Sequence, residues 1–398
     1  MATGTKILIP FDQALKQVLA VAKPPTTVKV NLQESLHRIL AEDVYADRDM
    51  PPFNKSAMDG YACRREDLAN ELTIVEEVPA GSVPDRVIEK NQCAKIMTGA
   101  MVPEGADCVL MKEHAAITGP GTIRSTELSA QSNICYRAED LKQGELIVGK
   151  GTRLKAPHIA ILASVGIAHP LVAKQPAVAV ISTGSELVEP SELPQQQQIR
   201  NSNSYQLLAQ LEGMGISASY SGIVKDEATE VFNSLEAALR DFDVVIVSGG
   251  VSVGDYDYVP EILNRLGAEI LFHGLNVKPG KHLLFAKVGD KFVIGLPGNP
   301  VSSFVQFELL VKPFLYEMMG CKKKNMVLKL PLGTNYSRKK ADNMLFVPVS
   351  LTDNGEVHPL EYHGSADIHA YTGADGILTI PVGTNEIKKG EIVHVRPL

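Results

Sequence analysis

Three short, mostly apolar runs lie between residues 177 and 295. They cover residues 177–181, 243–247 and 291–295, and each is followed by a loop and then by apolar residues at helical spacing. Continuous apolar runs of about five residues are typical of strands that are buried on both faces of a parallel sheet. The alternation of such strands with helices predicts a doubly wound α/β domain over residues 176–320.

Each of these runs leads into a glycine-bearing loop. In open α/β sheets ligands bind beside the carboxyl ends of the strands, and loops without bulky side chains let backbone N–H groups approach an anion. The three loops therefore predict one anion-binding rim. The residues that they contribute as candidates for ligand binding are Ser182, Thr183, Gly184, Ser248, Gly249, Gly250, Ser252, Pro297, Gly298, Asn299 and Pro300.

The third loop also predicts the start of a helix. Asn is a strong N-cap residue and Pro suits the first helical position, so Asn299-Pro300 should open a helix through Phe304, Phe307 and Leu310. A helix N-terminus at this place adds a partial positive charge to the rim.

The rest of the chain is patterned differently. Residues 11–22 and 34–42 carry apolar residues at helical spacing, whereas short strand-like runs separated by turns fill much of the remainder. A lysine run at residues 322–324 predicts a solvated hinge. The predicted domains are an α-rich N-terminal domain of residues 1–49 and 145–175, an inserted β domain of residues 50–144, the α/β domain of residues 176–320 and a C-terminal small β-barrel of residues 321–398.

Composition limits the possible functions. The 398 residues carry a formal net charge of −7, which argues against a general nucleic-acid-binding protein because such proteins rely on basic surface. The five cysteines are scattered and contain no CxxC pair, so neither a disulfide framework nor a thiolate metal site is indicated. No leader or membrane-spanning run is evident, and we expect a cytoplasmic protein that does not engage a membrane.

Four carboxylates follow predicted strands of the α/β domain, namely Glu186, Asp226, Asp255 and Asp257. Carboxylates beside phosphate-binding loops commonly supply oxygen ligands to Mg²⁺, and we assign Glu186 and Asp257 as the metal ligands. Asp257 has a second, compatible interpretation, because it is placed to act as the N-cap of the helix that follows it.

Three further polar positions are weaker candidates. Lys278 and Lys281 flank a Pro-Gly turn, where two cations suit an oxyanion but a surface turn explains the pattern equally well. In the inserted β domain Asp59 precedes a glycine and Thr98 lies in a small-residue loop. Taken by themselves, an Asp-Gly turn and a hairpin corner are the simpler interpretations of these two positions.

Two other classes of function remain open on the residues. Residues 250–254 match the G-x-S-x-G nucleophile elbow of α/β-hydrolases, which would make Ser252 a nucleophile. Histidines later in the chain leave a catalytic triad formally possible, but a hydrolase does not explain the other two glycine loops. The third class is a non-catalytic scaffold of the same fold that binds a pterin or a protein partner.

Six motifs, in order and in register, resemble one family. Their spacing is similar to that of the molybdopterin molybdotransferases, the molybdenum insertases that include bacterial MoeA and the gephyrin E domain. The resemblance extends over nearly the whole chain and implies a multidomain α/β plus β fold with a central molybdopterin-binding domain. The motifs are PPFNKSAMDGYA, MTGAMVPEGADCVL, STGSEL, SGGVSVGDYDY, KPGK and GLPGNPVSS.

The resemblance also implies a reaction. Adenylated molybdopterin and molybdate are the substrates, the metal passes to the pterin dithiolene, and AMP is released with the assistance of Mg²⁺. A homodimer is implied, in which the β domain of one subunit completes the cleft of the other, and a molybdopterin adenylyltransferase is the implied upstream partner. The matching functional positions are Asp59, Thr98, Asp140, Glu186, Asp226, Asp257 and Lys278, with Pro297, Pro300 and Ser365 near the molybdate pocket.

The sequence departs from the family pattern at two places. Pro348 stands where the second arginine of a G-R-x-x-F-x-R stretch is expected, and Gly274 stands where a lysine often precedes the KPGK turn. Because arginine binds oxyanions through a rigid fork of donors, its loss predicts a weaker molybdate site. Arg338, Lys339 and Lys340 are the nearby cations that would compensate.

Overall fold

The computed structural model describes residues 8–127, 131–252, 257–322 and 326–398. The chain divides into two compact units. We call the first the large unit and the second the small unit; the four domain boundaries stay a prediction. The large unit contains Met1–Glu42, Gly151–Ala156 and His169–Leu398, and the small unit contains Asp43–Lys150 and Pro157–Ala168.

The N-terminal segment of the large unit contains helix α1 (Phe11–Val21), as the apolar spacing predicts. Phe11, Ala14 and Val18 are buried along one side of this helix, at intervals of three and four residues. Strand β1 (Thr27–Lys29) follows.

The prediction of a helix over residues 34–42 is wrong. The structure has a single 3₁₀ turn at Leu32–Glu34, after which the backbone pairs with other segments. The amide of Leu40 donates to the carbonyl of Thr152, and the carbonyl of Ile39 accepts from the amide of Ala173. Ile39 and Leu40 are therefore buried as adjacent residues of an extended segment, a pattern that two consecutive apolar positions cannot distinguish from a helix.

The small unit contains a six-stranded mixed sheet in the order β7-β4-β6-β5-β9-β8. Two-stranded pairs, β2 with β11 and β3 with β10, complete it. The apolar residues Ala62, Val78, Ile96 and Val109 belong to one of its cores. The elements are β2 (Val44–Tyr45), β3 (Lys55–Ser56), β4 (Gly60–Cys63), β5 (Glu71–Val78), β6 (Gln92–Ile96), β7 (Cys108–Met111), β8 (Ala115–Gly119), β9 (Thr122–Ser125), β10 (Ile134–Cys135), β11 (Leu146–Val148) and the helix α2 (Ala156–Ser164), whose first residue belongs to the large unit.

The centre of the large unit is a six-stranded sheet in the order β16-β13-β17-β21-β20-β18, next to which β12 pairs with β1. Short strands β14 and β15 pair with each other, and β19 joins the C-terminal sheet. These strands are β12 (Leu171–Ala173), β13 (Val178–Thr183), β14 (Leu187–Val188), β15 (Ile199–Arg200), β16 (Ala218–Val224), β17 (Val244–Ser248), β18 (Glu269–His273), β19 (Val277–Lys278), β20 (Leu284–Val288) and β21 (Lys291–Leu296).

Helices cover both faces of this sheet, as expected of a doubly wound domain. Along β13, Val178 and Val180 belong to one apolar core, and Ala179 and Ile181 belong to another. All six residues of β13 are buried, because alternate side chains enter the two cores. The helices are α3 (Asn203–Gly213), α4 (Ala228–Asp241), α5 (Val259–Arg265), α6 (Pro300–Gln306) and α7 (Lys312–Met318).

The helix predicted after Asn299 begins as expected, with Asn299 at the cap position and Pro300 at the first helical position. The Asn299 side chain makes no capping hydrogen bond. A π-helical segment, Phe307–Val311, joins α6 to α7. The two α-helices therefore follow each other without a loop.

The C-terminal part of the large unit is a β domain with its own apolar core, which includes Val347, Leu378 and Val395. Its main sheet has the order β19-β24-β26-β28-β22, and β25 pairs with β24. The strands are β22 (Leu328–Pro331), β23 (Tyr336–Ser337), β24 (Met344–Leu351), β25 (Val357–Pro359), β26 (Gly376–Ile380), β27 (Glu386–Ile387) and β28 (Ile392–Pro397). The predicted hinge lysines Lys323 and Lys324 lie outside the described residues.

Candidate active site

The three predicted loops leave neighbouring strands at the same edge of the central sheet. Strand β17 lies between β13 and β21, and both pairings are parallel. Ser182 is in register with Ser248, and Ser248 is in register with Leu296. The carboxyl ends of the strands thus bring the loops side by side, which confirms the arrangement that the sequence predicts.

A cavity of about 370 Å³ opens at this edge. Ser182, Thr183 and Ser248 line it from the first two strands, and the loop of Gly298, Asn299 and Pro300 lines it from the third. Glu186 also contributes to the lining, together with residues 199–203, which precede or begin α3. Its walls combine hydroxyl, amide and carboxylate groups with a few apolar side chains, a composition that suits a polar organic ligand.

The backbone of the second loop requires glycine. Gly249 has a φ of 96°, and a Cβ atom built there would press on the Thr183 carbonyl and lie 2.9 Å from the Thr183 hydroxyl oxygen. Gly298 differs, since a Cβ atom there would meet its nearest neighbour outside the adjacent residues, the Cα of Gly249, at 3.8 Å. The neighbouring backbone therefore requires glycine at Gly249 but not at Gly298, and the close approach of a ligand phosphate to these two glycines stays a prediction.

Carboxylates gather beside the first loop. Burial raises the pKa of Asp226 above its ordinary value, and the nearby charges of Glu186 and Asp257 raise it further. A hydrogen bond from the Ser185 amide at 3.1 Å opposes this shift. Like charges that destabilise one another in this way form an environment that a cation would relieve. Asp255 lies outside the described residues.

Asp257 is not the N-cap of the helix that follows it. Helix α5 begins at Val259, and Tyr258 occupies the cap position. The proline after Val259 explains the shift, because proline favours the first turn of a helix and fixes where that turn begins. Asp257 lies close enough to Asp226 for its charge to raise the pKa of Asp226, so Asp257 still belongs to the cluster of carboxylates.

A second cavity, of about 220 Å³, adjoins the third loop. Lys278 and Lys281 line it with His282, and Pro297 and Asn299 form the side that faces the loop. Ser365 lines it too. Its carbonyl accepts a hydrogen bond from the amide of Val301 in the first turn of α6. Two ammonium groups in a small concave site favour an oxyanion over the alternative of an ordinary surface turn.

Arg338 does not fill the place of the missing arginine. Its guanidinium donates to the backbone carbonyls of Thr384, Asn343 and Pro381 at 2.7, 2.9 and 2.7 Å. These three bonds join separate segments of the C-terminal β domain, so the expectation that Arg338 compensates is wrong. Lys339 and Lys340 are exposed in the turn that follows.

The two departures from the family pattern have structural explanations. Pro348 is buried within β24, where it pairs with Ile377. Gly274 has a φ of 115°, and a Cβ atom there would lie 2.8 Å from a methyl carbon of Leu8. A lysine at Gly274 would therefore be strained and crowded.

In the small unit, Asp59 and Thr98 come together. The Asp59 carboxylate accepts hydrogen bonds from the backbone amide and the hydroxyl of Thr98, each at 2.8 Å, and Lys112 lies 3.3 Å away. These hydrogen bonds, those of Thr98 first, lower the pKa of Asp59 to about 2. Asp140 lies in an exposed turn, and no hydrogen bond or ion pair joins its carboxylate to this group within the described part of the small unit.

The triad that Ser252 would need is not assembled in the part of the chain that the structure describes. His273 directs its Nε2 atom to the carbonyl of Val251 at 2.6 Å, and no hydrogen bond links a histidine to the Ser252 hydroxyl there. The remainder of the G-x-S-x-G motif, Val253 and Gly254, lies outside the described residues. The glycines of this loop instead serve the close contact with Thr183.

Sequence reasoning missed several polar residues that line the cavities, among them Asn201, Asn203 and His282. Asn201 is 1% exposed, and its side-chain oxygen accepts from the Ser182 hydroxyl at 3.0 Å. The run Asn-Ser-Asn-Ser at residues 201–204 contains residues typical of a helix start, and that signal was available. Nothing in it indicates the strand loops that these side chains contact.

The fold and the two cavities define an α/β protein with a polar cleft beside its strand-end loops, and comparison with known proteins gives its family. Residues 9–166 match the model of the MoeA N-terminal region (domain I and II), residues 179–317 match a probable molybdopterin binding domain, and residues 329–398 match the MoeA C-terminal region (domain IV). The matches follow one another along nearly the whole chain.

Individual proteins agree with these matches. A molybdopterin molybdenumtransferase of Staphylococcus epidermidis is 35% identical over 99% of this chain and 97% of its own, and one of Staphylococcus aureus is 34% identical over 97% and 95%. The crystal structure of a molybdopterin biosynthesis MoeA protein from Pyrococcus horikoshii has a TM-score of 0.82 at 32% identity, covering 98% of this chain and 100% of that one.

The chain belongs to the MoeA family. It is accordingly an enzyme, a transferase of molybdenum cofactor biosynthesis. The described residues contain no helix that is both long and apolar enough to cross a bilayer.

Proposed function

We propose that this enzyme transfers molybdenum from molybdate to adenylated molybdopterin and releases AMP. The observation that carries the proposal is the pair of adjoining cavities, both of which are lined by Asn299. The larger one offers the strand-end loops that suit a phosphate-bearing pterin, and the smaller one offers Lys278 and Lys281 for the oxyanion. A shared wall would place the two substrates next to each other, as a transfer reaction requires.

Mg²⁺ is the metal that fits the carboxylate group beside the first loop. Burial raises the pKa of Asp226 most, the neighbouring charges of Glu186 and Asp257 raise it further, and carboxylate oxygens such as these are hard ligands. The described residues contain no group of three acidic, histidine or cysteine side chains that is already arranged around a metal. This agrees with the habit of Mg²⁺ to take one or two protein carboxylates and to complete its shell with water and substrate phosphate.

Glu186 and Asp257 would hold this ion in the proposed enzyme. When bound, Mg²⁺ neutralises the charge that develops on a phosphate as its ester or anhydride bond is broken. The protein residues have separate tasks. The backbone of the Gly249 loop approaches the phosphate, and the lysines of the smaller cavity hold molybdate against the pterin.

We further propose that the active enzyme is a homodimer and that Asp59, Thr98 and Lys112 of one subunit complete the cleft of the other. The geometry of Asp59 supports this role, since Thr98 and Lys112 hold its carboxylate in place while it stays partly exposed for contact with a cation or a hydrogen-bond donor. Asp140 is included only by its match to a family position. The adenylated substrate would come from a molybdopterin adenylyltransferase, and we place the reaction in the cytoplasm.

Reconstitution with defined components tests the proposed reaction. The purified protein is incubated with adenylated molybdopterin, Mg²⁺ and molybdate, and AMP release is followed together with the activation of a molybdenum-free apoenzyme. We expect both signals to require all three components. AMP release without any activation of the apoenzyme would indicate a hydrolase, and the absence of both signals, with the substrate still bound, would indicate a scaffold.

Mixed dimers test the shared site. Asp59→Asn and Glu186→Gln are each expected to reduce activity strongly, and coexpression of the two variants yields heterodimers with one site that carries neither substitution. We expect the heterodimers to recover about half of the wild-type activity, because one of their two sites is intact. Heterodimers as inactive as either parent would show that both residues act within one chain.

A further inference from the structure

The loop of residues 297–300 belongs to both cavities. Pro297 and Asn299 line the smaller cavity, and Gly298, Asn299 and Pro300 line the larger one. Any contact that fixes this loop therefore affects the position of both proposed ligands at once.

Asn203 makes such a contact from the first residue of α3. Its side-chain nitrogen donates to the Gly298 carbonyl and to the Ser248 hydroxyl, each at 2.8 Å. The two amide hydrogens are thus both used, one on the second loop and one on the third. Because a carbonyl oxygen can only accept, the bond to Gly298 also fixes which way the amide is turned.

The surroundings make these bonds strong restraints. Asn203 is only 7% exposed, and Ser248 is 3% exposed. Hydrogen bonds in such a buried place are costly to lose, since the groups left behind cannot turn to water. A Cβ atom at Gly298 would meet the Cα of Gly249 only at the ordinary contact distance of 3.8 Å, so tight packing at that position does not hold the loop.

We propose that Asn203 is a positioning residue, which acts through Gly298 to set the placement of the loop shared by the pterin cavity and the oxyanion cavity. The inference rests on the proposed function, and it adds a residue that lines the larger cavity and acts by holding the shared loop rather than by taking part in the transfer. It predicts that a defect at Asn203 weakens the use of both substrates together.

Asn203→Asp is the informative variant, because it has nearly the same shape. At neutral pH the introduced carboxylate offers only acceptors, so it repels the Gly298 carbonyl, whereas the Ser248 hydroxyl can turn and donate to it. We expect the concentrations of adenylated molybdopterin and of molybdate that give half-maximal insertion each to rise roughly tenfold. Protonation of the new carboxyl restores one donor, so this defect should shrink as the pH falls from 8 to 5.5.

Asn264→Asp provides the matched control, as Asn264 is exposed on α5 of the same domain. The wild type and this control should have the same half-saturating concentrations and the same pH profile. Thermal unfolding of all variants verifies that they fold. If Asn203→Asp does not fold, Asn203→Ser replaces it, and this shorter side chain should cause a similar loss that does not respond to pH.

The outcomes separate the inference from the function on which it rests. A wild type that inserts no molybdenum overturns the proposed function itself. An active wild type beside a folded Asn203→Asp variant whose half-saturating concentrations are unchanged overturns the positioning role. A fall in turnover alone, or a change for one substrate alone, also overturns it, since the shared loop must affect both substrates.

Discussion

Thr98 holds the Asp59 carboxylate with two hydrogen bonds, one from its hydroxyl and one from its backbone amide, both to the same oxygen at 2.8 Å. The residues are 39 positions apart in the sequence. Neither of the turns that contain them indicated this contact, but the contact accounts for most of the lowered pKa of Asp59. Asp59 and Thr98 are weak candidates when each is considered by itself, but in the structure Thr98 stabilises the charged carboxylate of Asp59.

Replacement of Thr98 by valine removes the hydroxyl and keeps the backbone amide. The pKa of Asp59 should rise from about 2 but stay below its ordinary value of 3.8, because the amide and Lys112 still stabilise the charge. Titration of the Asp59 carboxyl carbon by NMR measures this change. Thr118→Val, at an exposed position of the same unit, should leave the Asp59 titration as it is in the wild type.

The two loop glycines should respond differently to alanine. Gly249→Ala should lower the free energy of unfolding by about 1–3 kcal/mol, because it forces a Cβ atom into a left-handed backbone and against Thr183. Gly298→Ala should change it little, since the site has ordinary contact distances. Chemical denaturation of both variants checks the difference. Equal effects would contradict the distinction between the two loops.

Asp226 should make stability depend on pH when Mg²⁺ is absent. Its pKa is raised in the folded state, so its contribution to stability is fully present below the ordinary value of 3.8 and is lost as the pH rises through the raised value. Asp226→Asn should remove this loss. Thermal unfolding in EDTA at a series of pH values, with the exposed Asp241→Asn as control, tests the prediction, and identical curves for both variants would refute it.

Substitution of Arg338 should affect the stability of the protein, whereas substitution of Lys281 should affect its use of molybdate. Arg338→Ala should lower the free energy of unfolding by about 2 kcal/mol or more, because three backbone carbonyls lose a charged donor. Molybdate dependence should stay normal in the variant that remains folded. Lys281→Ala should instead raise the molybdate concentration for half-maximal insertion and leave stability nearly unchanged. If Arg338→Ala instead raised the molybdate concentration for half-maximal insertion and left stability unchanged, Arg338 would belong to the oxyanion site.

Pro348→Arg should destabilise the protein rather than restore the family's molybdate contact. Pro348 is buried in β24, and a guanidinium placed there has to be desolvated or to disrupt the strand. Thermal unfolding should show a clear loss of stability, and insertion assays at low temperature should show no gain in molybdate use. Improved use of molybdate in a stable variant would mean that this strand can rearrange.

The sequence predicts the central fold well because burial on two faces leaves a strong local signal. A strand such as β13 is apolar over its first four positions, and the loop after it is small, so both are visible in six to eight letters. Local signals fail where the partner is distant. Residues 34–42 have helical spacing but satisfy their backbone on other segments. The cap of α5 is a different case, because Pro260, two residues after the cap residue Tyr258, fixes where that helix begins.

The residues of the candidate site likewise fall into those that a local sequence signal predicts and those that it does not. Ser182, Ser248 and Asn299 were predictable, because strand ends and helix starts are written in short motifs. Asn203 and Arg338 were not, since their roles depend mostly on carbonyl groups of segments 43 to 95 residues away. Neither hydrophobic periodicity nor turn propensity predicts which backbone carbonyl a side chain will contact.

The π-helical segment between α6 and α7 has a consequence for how the protein tolerates changes in length. A π turn holds one residue more than an α turn, and one extra residue rotates all later side chains by about 100° around the helix axis. The segment thus lets Pro300 and Ser302 face the cavities while Phe314 and Leu315 are buried in the core further along. Deletion of a single residue within Phe307–Val311 would remove the extra residue of the π turn and rotate the buried Phe314 out of its place in the core.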